Sequence, residues 1–194
     1  MLPEPISVTL QVADAFEALG APYFIGGSLA SAIHGISRAT MDADLIVDLR
    51  LDQVKPFVKL LGGEFFVDDE AMREAIHQRS SFNIIHRETM FKVDVFLRKT
   101  RPYDQLQFTR RTLQTLATQP ERSAYVASAE DTILAKLEWY RLGNEVSERQ
   151  WVDVQNILKV QENRLDWDYL RQWASQLGVT DLMERALIEA GLTE

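Results

Sequence analysis

The sequence predicts an α/β protein, with a mixed β-sheet and its helices over residues 1–127 and a helical region over residues 128–194. Three observations lead to this prediction. Between residues 23 and 49 a short apolar strand passes through a glycine turn into a helix and then into a second strand. Residues 81–86 and 90–97 resemble two strands joined by a four-residue turn. From residue 128 onward the apolar residues recur at helical spacing.

The first part of the chain alternates helices and strands. A helix is expected over residues 6–19, because its apolar residues share one face and Gly20 and Pro22 end the pattern. A strand over residues 23–25 and a helix running from Ser28 to about Gly35 follow. The next expected elements are a strand over residues 44–49, a helix over 51–61, a short strand over 65–67 and a helix over 68–78.

The second part of the chain is expected to be mostly helical. A short helix near residues 103–109 and a last strand over 122–126 precede it. Four helices are then predicted over residues 130–141, 148–161, 167–177 and 180–190. Residues suited to the helix N-caps are Ser128, Ser147, Asp166 and Thr180, and those suited to the helix ends are Gly143 and Gly178.

Composition excludes several classes of protein. The 194 residues include no cysteine, which excludes disulfides, cysteine-based zinc sites and thiol nucleophiles. No apolar run approaches the roughly 20 residues that span a membrane. The first residues, M-L-P-E-P-I, lack the basic start and apolar core of a signal peptide. We therefore expect a cytoplasmic protein without a membrane partner.

The charge pattern limits the kinds of partner. A net charge of −8 argues against broad binding of nucleic acids, which needs a cationic surface. Residues 98–122 are a local exception, and their cations are Arg98, Lys99, Arg101, Arg110, Arg111 and Arg122. Two interpretations of this basic segment stand side by side: a solvated face of the protein, or a cradle for a triphosphate or an anionic second substrate.

A glycine turn follows the first strand. Gly26 and Gly27 allow a sharp turn that leaves amide N–H groups uncovered. Ser28 then stands at the expected N-cap of the next helix, where the exposed amides and the helix dipole favour an anion such as phosphate. The turn is a candidate phosphate-binding element, although a plain turn and a simple helix cap would use the same residues.

Three aspartates lie in or beside strands. Asp42 and Asp44 are two residues apart, so in a strand both carboxylates point to one face. Asp94 lies in a strand that is otherwise suited to a core, and it shares a face with Lys92 and Phe96. A lone buried carboxylate is costly unless it is paired or bound to a metal. A phosphate-binding turn near carboxylates that suit a divalent metal is typical of metal-assisted phosphoryl or nucleotidyl transfer.

These motifs resemble the nucleotidyltransferase superfamily of DNA polymerase β, the aminoglycoside nucleotidyltransferases and the AbiEii-type, toxin-related proteins. In that superfamily a Gly-Gly or Gly-Ser turn precedes an Asp-x-Asp motif, and a third acidic residue comes from a later strand. The resemblance is closest to the AbiEii-type subgroup, whose motif residues stand here in order as Gly26, Gly27, Ala30, His34, Gly35, Arg38, Thr40, Asp42 and Asp44.

The resemblance implies an enzyme that transfers a nucleoside monophosphate from a nucleoside triphosphate to a hydroxyl acceptor and releases pyrophosphate. It implies that Asp42, Asp44 and Asp94 are catalytic and hold two Mg²⁺ ions, with Asp94 also accepting the proton of the attacking hydroxyl. It implies nucleotide binding by Gly26, Gly27 and Ser28. Arg38 either binds a phosphate or pairs with an aspartate.

Two residues of the helical region join this candidate site by resemblance. AbiEii-type proteins carry a lysine on one helix and an aspartate on the next, which correspond to Lys136 and Asp153. The resemblance implies that Lys136 contacts the triphosphate, that Asp153 supports it or assists catalysis, and that the helical region closes over the carboxylates. The family pattern around Asp153 is altered over residues 148–153, which leaves its role open.

The motifs of two other enzyme classes are missing. The sequence lacks the P-loop motif of kinases and the glycine motif of dinucleotide-binding dehydrogenases. The main alternative is a catalytically silent nucleotide- or partner-binding module of the same fold, including one in a toxin–antitoxin system. The acceptor stays open among a small molecule, tRNA and a protein hydroxyl. The nucleotide and the oligomeric state stay open as well.

Overall fold

The computed structural model describes residues 3–192, and the chain forms two compact units. The first unit comprises the chain up to Gly26 and the segment Thr40–Ala127. The second comprises the segment Gly27–Ala39 and the chain from Ser128 onward. The short segment after the glycine turn therefore belongs with the C-terminal helices, although it precedes residue 127.

The described residues form nine α-helices and seven strands, besides two short 3₁₀ helices and the connecting loops. Those of the first unit are α1 (Glu4–Ala18), β1 (Tyr23–Ile25), β2 (Asp42–Val47), α3 (Val54–Leu61), β3 (Phe65–Val67), α4 (Asp69–Gln78), β4 (Ser81–His86), β5 (Lys92–Leu97), α5 (Pro102–Arg110), β6 (Thr112–Thr118) and β7 (Glu121–Val126). Those of the second are α2 (Gly27–His34), α6 (Ala129–Leu142), α7 (Glu148–Gln161), α8 (Trp167–Leu177) and α9 (Thr180–Ala190).

The first unit is built on one seven-stranded sheet, with the strand order β3-β4-β5-β2-β1-β7-β6. Strands β2 and β5 are parallel, as are β1 and β7, and the other neighbours are antiparallel. The sheet is therefore mixed, and the predicted α/β class with a mixed sheet is confirmed.

The two central parallel strands follow the period-2 pattern of a sheet with one buried face. On β2 the side chains of Ala43, Leu45 and Val47 are buried, and on β5 those of Val93, Val95 and Leu97 are buried. The residues between them are only partly buried. The pleat therefore directs the aliphatic side chains into the core and the acidic ones to the opposite, more open face.

Most predicted strands are confirmed, with two differences. Strand β2 spans Asp42–Val47 rather than the predicted residues 44–49, so both aspartates of the pair lie within it. Strand β6 was not predicted. It is one of the two edge strands of the sheet, and most of its residues are exposed or half-buried. It therefore has too few buried positions to produce the apolar alternation that marks a strand.

The helices of the second unit begin largely where the sequence predicts. Ser128, Ser147 and Asp166 each accept a hydrogen bond from the main-chain N–H three residues later, as N-caps do. The prediction for Thr180 was wrong: Val179 precedes the helix and makes no side-chain cap, and Thr180 is the first helical residue. Gly143 and Gly178 follow the ends of their helices.

Helix α2 packs closely on α7 within the second unit. A Cβ atom on Gly35 would lie 3.1 Å from the main-chain nitrogen of Ile157, so the absence of a side chain allows this approach. The Gln161 side chain donates a 2.7 Å hydrogen bond to the main-chain oxygen of His34. His34 is itself buried, which agrees with the structural role that is the commoner one for such a residue. These contacts fix the segment that carries Arg38.

No helix among residues 3–192 combines the length and the apolar character that crossing a bilayer requires.

Candidate functional site

The first group of predicted site residues lies on the open face of β2 and β5, and we call Asp42, Asp44 and Asp94 the carboxylate face. In the parallel register Asp44 lies directly opposite Asp94, and Asp42 lies opposite Lys92. Neighbouring strands are about 4.8 Å apart and paired residues point to the same side. All three carboxylates therefore lie on one face, although about 50 residues separate the third from the first two.

Like charges directly opposite on neighbouring strands repel each other. Here one cation offsets the repulsion, because the Nζ atom of Lys92 lies 2.7 Å from Oδ2 of Asp94. The hydrogen bond to Asp94 is the main reason why the pKa of the Lys92 ammonium is raised, against a smaller effect of partial burial. The charges of Asp94, Asp42 and Asp44 raise it further, so the ammonium feels all three carboxylates.

Two neighbouring groups orient the ends of this face. The hydroxyl of Thr40 lies 2.9 Å from the main-chain oxygen of Asp42 and 3.2 Å from its Oδ1, as a donor shared between them. The N–H of Gly26 donates a 2.9 Å hydrogen bond to the main-chain oxygen of Asp44. A Cβ on Gly26 would lie only 2.8 Å from Cδ1 of Ile46, so a glycine suits this contact.

The carboxylate face has the donor chemistry of a magnesium site, because Mg²⁺ prefers carboxylate oxygens. The ligand geometry is not preformed: within residues 3–192 no three acidic or histidine side chains form a group ready to hold a metal ion. One oxygen of Asp94 is engaged by Lys92 instead. The residue types of the carboxylate face therefore fit Mg²⁺. In their present arrangement, Asp94 forms an ion pair with Lys92.

The second group of predicted residues lies in the second unit, where Arg38, Lys136 and Asp153 form what we call the cation cluster. The guanidinium of Arg38 binds the Asp153 carboxylate through both oxygens, with Nε 2.9 Å from Oδ1 and Nη2 2.7 Å from Oδ2. The Nζ atom of Lys136 lies 2.9 Å from the same Oδ2. Such a two-point contact is a strong and specific form of ion pair.

Burial makes this ion pair important for the fold. Asp153 is 3% exposed and Lys136 7% exposed, whereas 27% of the Arg38 side chain is exposed. Burial by itself opposes ionisation of Asp153, but the hydrogen bonds from Arg38 and Lys136 outweigh it, so the pKa of Asp153 lies below its usual range. Two cations share one carboxylate, so the cluster keeps a net positive charge. It is suited to a further anion.

Ser28 belongs to this cluster, but not as a helix cap. Helix α2 begins at Gly27, so Ser28 lies in the first turn and the prediction of an N-cap was wrong. Its Oγ accepts a 3.1 Å hydrogen bond from Nη2 of Arg38. Gly27 has φ +53°, a left-handed conformation that favours glycine. The residues at this helix start therefore keep the favourable position for an anion.

The structure thus places the predicted site residues in two groups. Asp42, Asp44, Asp94 and Gly26 belong to the first unit, and Gly27, Ser28, Arg38, Lys136 and Asp153 belong to the second. The sequence interpretation placed Lys92 on the face of Asp94 and Thr40 in the motif, but it gave neither residue a role in the site. The spacing of two residues between Lys92 and Asp94 was a usable signal, because it places both side chains on one face of a strand.

The basic segment over residues 98–122 is largely committed to ion pairs of the first unit. Arg98 lies 2.8 Å from Asp48, Arg101 lies 2.7 Å from Asp104, and Arg122 lies 2.6 Å from Asp14. The guanidinium of Arg111 stacks on the ring of Tyr125, 4.8 Å from its centre. These contacts favour the interpretation of a solvated face over that of a phosphate cradle.

No protein-family model matches the sequence, and none of the curated proteins matches it. Solved structures of nucleotidyltransferases do share its fold. An antigenic nucleotidyltransferase-like protein from Paracoccidioides brasiliensis is similar with a TM-score of 0.59 and 16% identity, over 96% of this chain and 94% of that one. ANT(2'')-Ia in complex with adenylyl-2''-tobramycin is similar with a TM-score of 0.58 and 12% identity, over 89% and 95% of the two chains.

A third similar structure is the lincosamide antibiotic adenylyltransferase LnuA with bound lincomycin, with a TM-score of 0.53 and 13% identity over 82% of this chain and 98% of that one. At these identities the similarity concerns the fold. The chain has the nucleotidyltransferase fold that the motifs around Gly27, Asp42 and Asp44 predict.

Proposed function

We propose that this protein is a Mg²⁺-dependent nucleotidyltransferase, which transfers a nucleoside monophosphate from a nucleoside triphosphate to a hydroxyl acceptor. The observation that carries the proposal is the carboxylate face: Asp44 lies opposite Asp94 on parallel strands, with Asp42 on the same side. A sheet core needs no acidic side chains at these positions, and like charges across strands destabilise it. A role in chemistry explains why three of them share this face.

The residues that would hold the metal are Asp42, Asp44 and Asp94, whose oxygens suit two Mg²⁺ ions. Bound Mg²⁺ supplies Lewis-acid polarisation of the phosphoryl group and neutralisation of the charge on the leaving pyrophosphate. Thr40 would orient the carboxylate of Asp42 through the hydrogen bond that its hydroxyl donates. Gly26 holds the main chain at Asp44.

The proposed reaction balances without a further reactant. The acceptor hydroxyl oxygen forms a bond to the α-phosphorus, the bond from that phosphorus to the bridging oxygen breaks, and pyrophosphate leaves. Asp94 accepts the hydroxyl proton, which its partly exposed carboxylate is suited to do once it no longer accepts a hydrogen bond from the Lys92 ammonium. Charge builds on the leaving pyrophosphate, so cationic groups that bind it favour the step.

For the second unit by itself we propose a phosphate-binding role. Its cation cluster carries a net positive charge through Arg38 and Lys136, and Asp153 holds both cations in place. Ser28 and the amide of Gly27 add neutral donors at the start of α2. In this proposal Asp153 is a positioning residue rather than a catalytic one, because it acts through the cations that it holds.

The acceptor is proposed to be the hydroxyl of a small molecule. Two proteins of the same fold have antibiotics or their nucleotidyl products bound, lincomycin in LnuA and adenylyl-2''-tobramycin in ANT(2'')-Ia. The net charge of −8 and the paired arginines of residues 98–122 also make a long RNA acceptor less favourable. A tRNA and a protein hydroxyl are the two other acceptors against which the proposal is tested.

We also propose that the protein belongs to the AbiEii-type subgroup, because its motif residues from Gly26 to Asp44 follow the order of that subgroup. A toxin–antitoxin system would be the corresponding cellular setting, and a cytoplasmic location the corresponding compartment. Co-expression with the product of a neighbouring gene, followed by a growth assay, tests this setting separately from the chemistry.

A catalytically silent module that binds a nucleotide or a partner is the second candidate. Two observations favour it: Asp94 is already paired with Lys92, and no preformed metal group occurs among residues 3–192. The two candidates differ in the metal. A silent module would bind nucleoside triphosphates without Mg²⁺ or not at all, whereas the enzyme needs Mg²⁺ for transfer.

The deciding experiment supplies each α-labelled nucleoside triphosphate with Mg²⁺ and a cell extract that is separated into RNA, protein and small-molecule fractions. We expect label in the small-molecule fraction, and none with the Asp42→Asn or Asp44→Asn variant. The exposed Asp52→Asn serves as the matched control, because its ion pair with Arg50 lies on the surface. Label in the RNA or protein fraction would change the acceptor, and no label in any fraction would support the silent module.

A further inference from the structure

Lys92 is a charged residue for which the proposed transfer reaction has no use. It lies on the carboxylate face itself, opposite Asp42 and two residues before Asp94 on the same strand. Its ammonium is 2.7 Å from Oδ2 of Asp94. A divalent cation is expected to bind these same oxygens, so the lysine occupies a position that the metal would need.

The two side chains of this ion pair differ in exposure. The Asp94 side chain is 17% exposed, whereas that of Lys92 is 42% exposed. The lysine therefore reaches the carboxylate from the solvent side on a flexible four-carbon stem. It can leave by rotation of its own side chain, while the strand pairing of Asp94 with Asp44 and with Asn83 stays intact.

An ammonium and a magnesium ion cannot share Oδ2 of Asp94. Mg²⁺ binds carboxylate oxygens at about 2.0–2.1 Å, and a lysine nitrogen that kept its present 2.7 Å contact would put two cations within a few ångströms of each other. Their repulsion makes binding of the two cations competitive.

We propose that Lys92 is a built-in counter-ion that holds Asp94 in the metal-free protein and gives way to a divalent cation when the site is loaded. The inference rests on the proposed metal centre and adds a positioning residue to it. Lys92 keeps the carboxylate face stable and in place before the metal binds. It also lowers the apparent metal affinity, in proportion to the fraction of protein in which the pair is not formed.

The size of the effect follows from this competition. If the pair is formed in about 80–90% of the metal-free protein, the apparent dissociation constant of the metal is about five- to tenfold larger than it would be without the lysine. Replacing Lys92 by methionine keeps the stem and removes the charge. This substitution should therefore tighten metal binding, which is the opposite of what the loss of a metal-site or phosphate-binding residue does.

The experiment measures binding of Mn²⁺ by electron paramagnetic resonance of the free ion, without any nucleotide. Lys92→Met is compared with wild type, with Lys92→Arg, which keeps the charge, and with Lys59→Met, an exposed lysine of α3. We expect about five- to tenfold tighter binding for Lys92→Met. Binding by Lys92→Arg and Lys59→Met should lie close to that of wild type.

Thermal unfolding gives a second measurement. The metal-free Lys92→Met protein should unfold at a lower temperature than wild type, and saturating Mn²⁺ should raise its unfolding temperature by more than it raises that of wild type. In an Asp94→Asn background the gain in Mn²⁺ affinity from Lys92→Met should disappear, because the competing pair no longer exists.

Equal or weaker Mn²⁺ binding by Lys92→Met, with wild type binding the ion, would overturn the role of Lys92 and leave the proposed function standing. If wild-type protein and every variant fail to bind Mn²⁺ at millimolar concentration, the proposed metal centre itself is contradicted. The two failures are therefore distinguishable.

Discussion

The carboxylate face and the cation cluster each hold an aspartate against a lysine, but they do so in opposite ways. Asp153 is 3% exposed and is bound by two cations through three contacts of 2.7–2.9 Å. Asp94 is more exposed and is held by Lys92 from the solvent side. A buried carboxylate with two partners is difficult to separate from them, whereas a partly exposed pair exchanges readily.

This difference separates structural stability from chemistry. Taking one partner from a buried ion pair leaves an uncompensated charge, so Asp153 should matter chiefly for the fold of the second unit. Taking one carboxylate from a crowded face relieves repulsion, so Asp44 should matter chiefly for activity. Substitutions of Asp44 and Asp153 should therefore differ in whether activity or stability is lost.

The largest effect is expected for Asp44→Asn. Asparagine keeps the shape of the side chain and removes the charge that lies opposite Asp94. We expect the rate of nucleotidyl transfer to fall by about 10³-fold or more, with the free energy of unfolding unchanged to within about 1 kcal/mol. Pyrophosphate release and urea unfolding measure the two quantities. Loss of both activity and fold in Asp44→Asn would contradict the idea that Asp44 serves activity and Asp153 serves stability.

The next effect is a loss of stability in Asp153→Ala. The substitution leaves Arg38 and the buried Lys136 without their carboxylate, which should cost about 3–5 kcal/mol in the free energy of unfolding. Urea unfolding followed by circular dichroism measures it. The control is Asp168→Ala, whose pair with Arg171 is exposed and should contribute no more than about 1 kcal/mol. Equal effects of the two variants would contradict the structural role of Asp153.

The same ion pair predicts a pH dependence of stability. The pKa of Asp153 is lower in the folded protein than in the unfolded chain, where it is about 3.9. Its contribution is therefore fully present above about pH 4 to 5 and is lost as the pH falls through the folded value. The stability difference between wild type and Asp153→Asn should shrink as the solution is acidified through this range. A stability difference that stays constant from pH 7 to pH 3 would contradict the proposed contribution of the Asp153 ion pair.

The smallest effect concerns the glycine turn. Gly27 has φ +53°, so Gly27→Ala should destabilise the second unit by about 1–2 kcal/mol. Gly63→Ala is the control, because a Cβ there meets nothing within 4 Å and its backbone is not left-handed; a change within about 0.5 kcal/mol is expected. Thermal unfolding of both variants measures the difference. A Gly27→Ala protein as stable as wild type would show that the turn relaxes without strain.

Much of the fold was accessible from the sequence because its signals are local. The alternation of apolar and polar residues along β2 and β5 predicts which face each side chain takes. The caps at Ser128, Ser147 and Asp166 mark helix starts through a hydrogen bond that spans three residues. The failures at Ser28 and Thr180 have the same local origin, since a hydroxyl residue suits the first helical turn as well as the cap.

The sequence by itself determined that Asp42, Asp44 and Asp94 occupy the open faces of their strands, and that Lys92 shares a face with Asp94. Only the tertiary structure decided that β2 and β5 are parallel neighbours, which brings Asp44 opposite Asp94. It also decided that α2 belongs with the C-terminal helices, where Arg38 meets Asp153 across 115 residues of sequence. The physical reason is that strand and helix patterns are set within a few residues, whereas strand order and buried ion pairs depend on which distant segments pack together.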